Sequence, residues 1–550
     1  MMRHGGKILT DHLVAQGVDR VFSVPGESFL AALDGLHDCG IQNVVCRHEG
    51  GAAMMAEAHG KLTGRPGIAF VTRGPGASNA AAGVHVAKQD STPMILLVGQ
   101  IARGHRDREA FQEVDYRAMF GPLAKWVTEI DQTERLPEYL SRAFHVATSG
   151  RPGPVVLALP EDMLSAMADV PDLAPTAPSR QGVSDSDVAE IMDHLTRAKR
   201  PLVVLGGAGW STKAAADAQR FAESQGLPAT VSFRRQDYID NRSTSYAGDL
   251  GVGASPALAK RLQQADCLLV LGSRLGDIVT GGYELIDPAA PGKKILHVHS
   301  DPNLPGSVYR ADLAITARAP DVLAKLSQLP KAGDWGDWTA NARADYEAWQ
   351  QPKETPGAVK MEQVITWLSA NLPDDAILTN GAGNYAAFLH RYYRFRQFRT
   401  QLAPTSGSMG YGFPAAIAAA LQHPDKTVVC LAGDGCFQMT LNEMSTAIQH
   451  NAKLIVIVCN NGRYGTIRMH QEQHYPGRVS GTDLASPDFA ALSRAYGGHG
   501  ETVTHDKDFP NAFARASAAP GLAVIELKLD TEMLTTGQTL TQVRESARPT

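Results

Sequence analysis

Cysteine is scarce in this chain: there are six among 550 residues, and none forms a Cys-x-x-Cys pair. Most of the six (Cys39, Cys46, Cys267, Cys430, Cys436 and Cys459) sit in or beside apolar runs. That pattern excludes a disulfide-stapled scaffold and a zinc cluster, and it points to buried thiols in a reducing compartment. No stretch of about 18 consecutive apolar residues occurs, and no apolar signal region opens the chain, so the expectation is a soluble, cytoplasmic protein without a membrane partner. Basic charge is also in short supply. A formal net charge of −5 with 20% charged residues lacks the footprint of a nucleic-acid binder. Length and apolar content are what the chain does have. Its 550 residues predict roughly three or four domains, and 43% hydrophobic residues can fill several cores.

Three α/β segments separate on composition, at residues 1–169, 185–330 and 358–535. The first alternates helices with the strands Gly67–Thr72, Pro93–Gly99 and Pro154–Leu159. A polar stretch from Val170 to Ser184, with Pro171, Pro175 and Pro178, reads as a linker. The second segment carries buried-type strands at Leu202–Gly206, Cys267–Gly272 and Ile295–Val298. A second linker is expected around Pro330 to Gly357, its Trp335, Trp338 and Trp349 packing on a domain surface. In the third segment a strand at Ala376–Thr379 leads into a glycine-rich loop, and segments one and three share a strand–helix rhythm.

The third segment also holds the most specific pattern. Thr427–Leu431 and Leu454–Cys459 are β-rich runs that end at Gly433-Asp434-Gly435 and Asn460-Asn461, and Leu441, Met444, Ala447 and Ile448 recur between them at helical spacing. In a right-handed crossover the two strands run parallel, usually as near neighbours, with their carboxyl ends on the ligand-binding edge. Asp434, the Asn461 side chain and a backbone carbonyl near Arg463 could then face one divalent cation. Oxygen donors of this kind suit Mg²⁺. Gly433 and Gly435 allow close backbone approach to a phosphate. Taken separately, Gly-Asp-Gly is an ordinary turn and Asn-Asn an ordinary helix cap; the pairing at crossover spacing is what makes them specific.

This pair resembles the cofactor motif of the thiamine-diphosphate enzymes. The resemblance runs through nearly the whole chain and implies three doubly wound parallel-sheet α/β domains: pyrimidine-binding, central and diphosphate-binding. Arg47-His48-Glu49-Gly50-Gly51-Ala52-Ala53 matches the family's Arg-His-Glu stretch, and implies that Glu49 shares a proton with the pyrimidine ring of the cofactor. In isolation, Glu49 would be read as an acid at a helix start. Ser406-Gly407-Ser408-Met409-Gly410-Tyr411-Gly412 resembles the segment whose apolar residue bends the cofactor. Met409 then takes the wedge position and the Gly407 carbonyl accepts from the pyrimidine amine. Gly383-Asn384-Tyr385 stands where relatives contact the diphosphate, and Cys436 stands where the acetolactate synthase branch has Ser. The resemblance further implies that the two ends of the cofactor are held by different subunits, so a homodimer is the minimum assembly and a homotetramer is common.

The branch is most similar to acetolactate synthase. Glu109-Ala110-Phe111-Gln112-Glu113-Val114-Asp115 is close to the synthase pattern, in which Phe111 and Gln112 would line the reaction chamber. Leu271-Gly272-Ser273-Arg274 resembles a flavin-contacting stretch, which keeps FAD open as a further cofactor in the central domain. Other positions depart from the pattern. Ile278 replaces an Arg associated with the acceptor acid, His470 replaces a Trp, Gly251-Val252-Gly253 replaces a Met-His-Gly flavin contact, and Glu27 replaces a Gly. Glu27 either enters the chamber or is an outward helix-start acid, and His48, His470 and His474 are possible proton carriers. The expected activity is decarboxylation of a 2-keto acid with carboligation to an acceptor carbonyl. Alternatives are a decarboxylase or carboligase acting on an acid other than pyruvate, a flavin-linked oxidase, and a non-catalytic diphosphate-binding partner subunit.

Overall fold

A computed structural model describes residues 1–177, 179, 181–533 and 535–547; Pro178 of the first linker lies outside them. Three six-stranded sheets dominate, and every strand pairing within them is parallel. The first sheet runs Gln42–Val45, Arg20–Ser23, Gly67–Val71, Met94–Gln100, Pro154–Pro160, Trp126–Glu129 in space. Numbered in chain order within the sheet, that is 2-1-3-4-6-5. The third sheet (Gln401–Leu402, Ile377–Asn380, Val428–Gly433, Leu454–Asn460, Leu522–Lys528, His499–Val503) repeats this order. The central sheet differs: Tyr246–Leu250, Ala229–Ser232, Pro201–Leu205, Cys267–Leu271, Lys294–His299, Leu313–Thr316 gives 3-2-1-4-5-6, the order of doubly wound dinucleotide-binding sheets.

Both faces of the central sheet are covered, and the alternation along its strands shows how. Val203, Leu205, Leu269, Leu271, Leu296 and Val298 enter one core with Phe221 and Leu323; Leu202, Val204, Leu268, Val270 and Ile295 enter a second with Leu258 and Leu262. Such strands are apolar at every position, which is why they read as continuous runs. In the first sheet Val21, Ile68, Phe70, Ile95, Leu97, Val155 and Leu157 pack on Ile8, Leu9, Leu13, Leu136 and Leu140. Small residues line the helices Glu49–Thr63 and Pro75–Asp90. A Cβ on Gly83 would lie 2.4 Å from that of Ala53, and one on Gly67 would lie 1.8 Å from the Ala56 carbonyl oxygen. This close approach leaves no room for larger side chains.

Two compact units contain these sheets. The first comprises residues 1–179, 404–424 and 440–453, and the second comprises 180–403, 425–439 and 454–550. The third segment of the sequence therefore contributes two pieces to the unit built on the first sheet. Three expectations need correction. Half of the expected second linker is the helix Gly336–Trp349, with Trp335 at its N-cap; Thr339, Ala342 and Tyr346 are buried, and Trp335 and Trp338 pack into or against the central core. The crossover after Gly433 is not one helix but a short helix Asp434–Gln438, a 3₁₀ turn Leu441–Glu443 and a helix Met444–Gln449. It breaks at Thr440, whose hydroxyl donates to the Gly410 carbonyl at 2.8 Å while its φ is −138°. The central sheet has six strands rather than the three recognised; Ala229–Ser232, Tyr246–Leu250 and Leu313–Thr316 interleave Thr230, Ser232, Gly248, Asp249 and Thr316 with their apolar residues. No disulfide joins any of the six cysteines, and five of them are buried. Among the described residues no helix is long and apolar enough to cross a membrane.

Candidate functional site

In the unit built on the first sheet, the site grows from the carboxyl ends of two strands. The chain leaves Gln42–Val45, turns, and enters the helix Glu49–Thr63 with Glu49 as its first residue. His48 caps this helix, its Nδ1 accepting from the Gly50 N–H at 3.0 Å, which gives this histidine a structural task. The half-buried Glu49 receives the Asn79 side-chain amide on Oε2 at 2.9 Å. Gly76 clears space beside the other oxygen, since a Cβ there would stand 3.2 Å from Glu49 Oε1.

Thr72–Gly74, the loop between Gly67–Val71 and the helix Pro75–Asp90, gathers most of the other candidates. A Cβ on Gly74 would lie 2.9 Å from that of Gln112, and the Tyr116 hydroxyl accepts from the Gly74 N–H at 2.8 Å. Gln112 has φ +66° and sits in a loop with Asp107 at +63° and Glu109 at +51°. Glu113 supports these left-handed residues by accepting from the Asp107 and Ala110 N–H groups at 2.7 and 2.9 Å. Phe111 is 72% exposed. Arg73, buried, donates to the Phe111 carbonyl at 3.3 Å, to Glu161 at 3.1 Å and to Glu27 at 3.3 Å. Glu27 opens the 3₁₀ turn Glu27–Phe29 with its side chain 69% exposed, and it pairs with this buried guanidinium. Arg73 escaped the sequence reading, although the Gly74-Pro75-Gly76 turn beside it was a visible signal. Met409 and Gly407 lie on a loop of this same unit. Asp90 receives the Thr405 N–H at 2.7 Å at one end of that loop, and Tyr411 donates its hydroxyl to Glu57 at 2.5 Å at the other. Glu57 is fully buried, and its pKa is raised by burial against the opposing charge of Lys61.

In the other unit, Val428–Gly433 and Leu454–Asn460 are adjacent parallel strands, with Gly433 opposite Cys459. Asp434 is therefore delivered next to Asn460-Asn461. The Asp434 carboxylate accepts from the Gly435 N–H at 2.9 Å, the Gly462 N–H at 2.8 Å and the Ser486 hydroxyl at 3.1 Å. It is 2% exposed, and burial pushes its pKa up against those donors. Asn460 is committed elsewhere: its amide donates to buried Glu526 at 2.6 Å and its oxygen accepts from Gly462 at 3.1 Å. The Asn461 oxygen accepts only a longer contact from the Arg463 N–H at 3.3 Å, and the Arg463 carbonyl accepts from Gly465 at 2.9 Å. Glycine matters at 435, where a Cβ would meet the Tyr464 ring at 2.5 Å. Tyr385 stands over Gly433, its hydroxyl donating to the Cys436 sulfur at 3.3 Å and accepting from Gly381 at 3.1 Å. Next to Gly383, Asn384 is joined to Thr466 through both its backbone N–H (3.0 Å) and its side-chain oxygen (2.9 Å). Ser486 and Thr466 were not recognised in the sequence, where single hydroxyls in polar loops carry no distinguishing pattern.

No group of three or more His, Cys, Asp or Glu that could hold a metal occurs among the described residues. A carboxylate, an amide oxygen and a carbonyl contribute only one such residue, and hard oxygen donors of this kind fit Mg²⁺. His470 is exposed on the helix Gly465–His474, stacked on His474 with ring centroids 6.4 Å apart. Arg274 and Ile278 are exposed on the loop after Cys267–Leu271.

Comparison with known proteins matches three consecutive models of the thiamine pyrophosphate enzymes: the N-terminal TPP binding domain over residues 3–119, the central domain over 188–326, and the C-terminal TPP binding domain over 381–527. The chain belongs to the thiamine pyrophosphate enzyme family. Among its curated relatives, it is 30% identical to the acetolactate synthase isozyme 2 large subunit of Escherichia coli, covering 96% of each chain. It is 32% identical to the acetolactate synthase large subunit of Corynebacterium glutamicum, over 93% of this chain and 84% of the relative. A solved structure, the thiamine diphosphate-dependent 4-hydroxybenzoylformate decarboxylase of Rhodococcus jostii RHA1, superposes with a TM-score of 0.85 at 26% identity, covering 96% of this chain and 99% of the other.

Proposed function

We propose that this enzyme decarboxylates a 2-keto acid and transfers the remaining fragment to an acceptor carbonyl, in the manner of the acetolactate synthases it is similar to. The observation that carries this reading is the division of labour between two strand-end carboxylates, Glu49 beside Asn79 and Asp434 beside the Asn461–Arg463 turn. Asp434, the Asn461 oxygen and the Arg463 carbonyl would hold Mg²⁺ and through it the diphosphate, with Gly433, Gly435 and Cys436 offering backbone and Gly383, Asn384 and Tyr385 closing the other side. Bound thiamine diphosphate supplies the nucleophilic carbon and the electron sink that decarboxylation needs. Glu49 holds and returns a proton at the pyrimidine ring, and Asn79 orients its carboxylate. Gly407 and Met409 shape the cofactor from the anchored loop. Gln112 and Phe111, on a loop held in left-handed geometry, form the wall met by the substrate. The two halves of each site are contributed by different copies of the chain, which makes the working unit at least a dimer.

Pyruvate is the first candidate donor. A specific feature favours a different acid as the runner-up: Arg73 ties Glu27 into that wall and Ile278 offers no charge to an acceptor carboxylate. The central strand order and Arg274 also keep a flavin-linked oxidase in view, which the visible absorbance of the purified protein decides. The test is incubation with thiamine diphosphate, Mg²⁺ and a panel of 2-keto acids, following carbon dioxide and products by mass spectrometry. Acetolactate from pyruvate supports the synthase reading. Turnover of another acid without acetolactate supports the runner-up, and no turnover of any 2-keto acid contradicts both.

A further inference from the structure

The turn that delivers Glu49 is gripped along its length by a segment nearly 400 residues away in sequence. Residues 440–453 belong to the compact unit of the first sheet, although they fall within the match to the C-terminal family model. His450 Nε2 accepts from the Val45 N–H at 3.0 Å, at the end of the strand. One oxygen of Glu443 accepts from the Arg47 N–H at 3.2 Å and the His48 N–H at 3.0 Å. Its other oxygen lies 3.2 Å from the same Arg47 N–H and takes the Thr446 hydroxyl at 2.5 Å. The Arg47 guanidinium in turn donates to Ser445 at 3.0 Å and to Gln449. Glu443 is fully buried. The first turn of the following helix is built to admit it, since a Cβ on Gly51 would lie 2.4 Å from a Glu443 oxygen.

Buried carboxylates that receive backbone N–H groups fix those peptides, and removing such an acceptor leaves the donors unsatisfied. The N–H groups fixed here belong to Arg47 and His48, the two residues before Glu49. We infer that Glu443 is a positioning residue for Glu49, setting the direction in which that carboxylate leaves the helix start, and hence its reach to the pyrimidine ring of the cofactor. The inference rests on the reading of Glu49 given above. It assigns the 440–453 segment a task in proton transfer rather than in diphosphate binding, which stays with Asp434 and the Asn461–Arg463 turn.

The experiment compares the holoenzyme with Glu443→Ala, Glu443→Gln and, as a control, Glu49→Gln. It follows hydrogen–deuterium exchange at the reactive thiazolium carbon of bound thiamine diphosphate by NMR after acid quench, beside cofactor affinity and melting temperature. Displacing a catalytic group by about 1 Å costs on the order of a hundredfold, so exchange in Glu443→Ala is expected to slow by about tenfold to a hundredfold. Cofactor affinity is expected to stay within about threefold. Glu443→Gln preserves shape but turns an NH₂ group toward a backbone donor, and should show a smaller slowing in the same direction. It decides the matter if Glu443→Ala does not fold, because wild-type exchange in Glu443→Gln would then overturn the inference. Wild-type exchange in a folded Glu443→Ala, or a slowing matched by loss of cofactor affinity, would also overturn it. Slow exchange in Glu49→Gln with normal exchange in the Glu443 variants removes only the positioning role, whereas normal exchange in Glu49→Gln removes the reading of Glu49 itself.

Discussion

The first and third sheets have the same strand order, 2-1-3-4-6-5, and each presents one carboxylate at a strand end, yet the two carboxylates sit in opposite surroundings. Glu49 is half-buried, opens a long helix, and receives one side-chain amide. Asp434 is buried, opens a five-residue helix, and is wrapped by two backbone N–H groups and a hydroxyl. Under the function proposed above, Glu49 serves the proton, with open space beside it for the pyrimidine ring, and Asp434, enclosed by fixed donors, serves the cation. One topology would then carry two chemistries according to what the loops supply.

The comparison breaks hardest at Asp434. Replacing it with Ala should weaken thiamine diphosphate binding in the presence of Mg²⁺ by about 100-fold, or about 3 kcal/mol, measured by calorimetric titration. Unchanged binding would remove the anchoring role. The placement of the two carboxylates in different copies is tested by mixing. Random dimers of Glu49→Gln with Asp434→Ala should regain about a quarter of wild-type activity, because half the dimers then carry one intact site; a site built within one chain would show no recovery. Asn79→Ala should lower turnover by about tenfold through loss of the amide on Glu49, with cofactor affinity nearly unchanged. A matched loss of affinity would place Asn79 in binding instead.

A smaller effect concerns the helix that carries Thr466 and His470. Arg544 holds the Glu472 carboxyl down to about 2, aided by the Gly477 N–H and Arg468 and opposed by burial. Because the folded value lies below the ordinary 4.5, the stabilisation is complete above that value and is lost as pH falls toward about 2. Denaturant titrations of wild type and Arg544→Ala should thus differ at neutral pH and converge on acidification. A gap that stays constant with pH would assign the contact to packing.

What was legible in the sequence follows from the same physics. Strands buried on both faces, such as Cys267–Leu271 and Leu454–Asn460, are apolar at every position and announce themselves, and the motif residues at their ends came with them. Short outer strands such as Gln401–Leu402 do not, because two residues have no period. Gly336–Trp349 read as a linker because Asp337, Asn341, Arg343, Asp345 and Glu347 outweigh the buried Thr339, Ala342 and Tyr346. Glu27 was visible as a departure, but its partner Arg73 was not, since an ion pair between residues 46 apart leaves no local pattern. Glu443 was hidden more deeply, because what it recognises is backbone N–H, which every sequence possesses.

The contrast between a proton-handling and an anchoring carboxylate is tested most directly by Glu49→Gln, which removes the titrating group while keeping its shape. Thiamine diphosphate and Mg²⁺ should bind as in the wild type while turnover of the preferred 2-keto acid falls by at least about 100-fold. Near-normal turnover, or loss of turnover explained by loss of cofactor binding, would contradict the account.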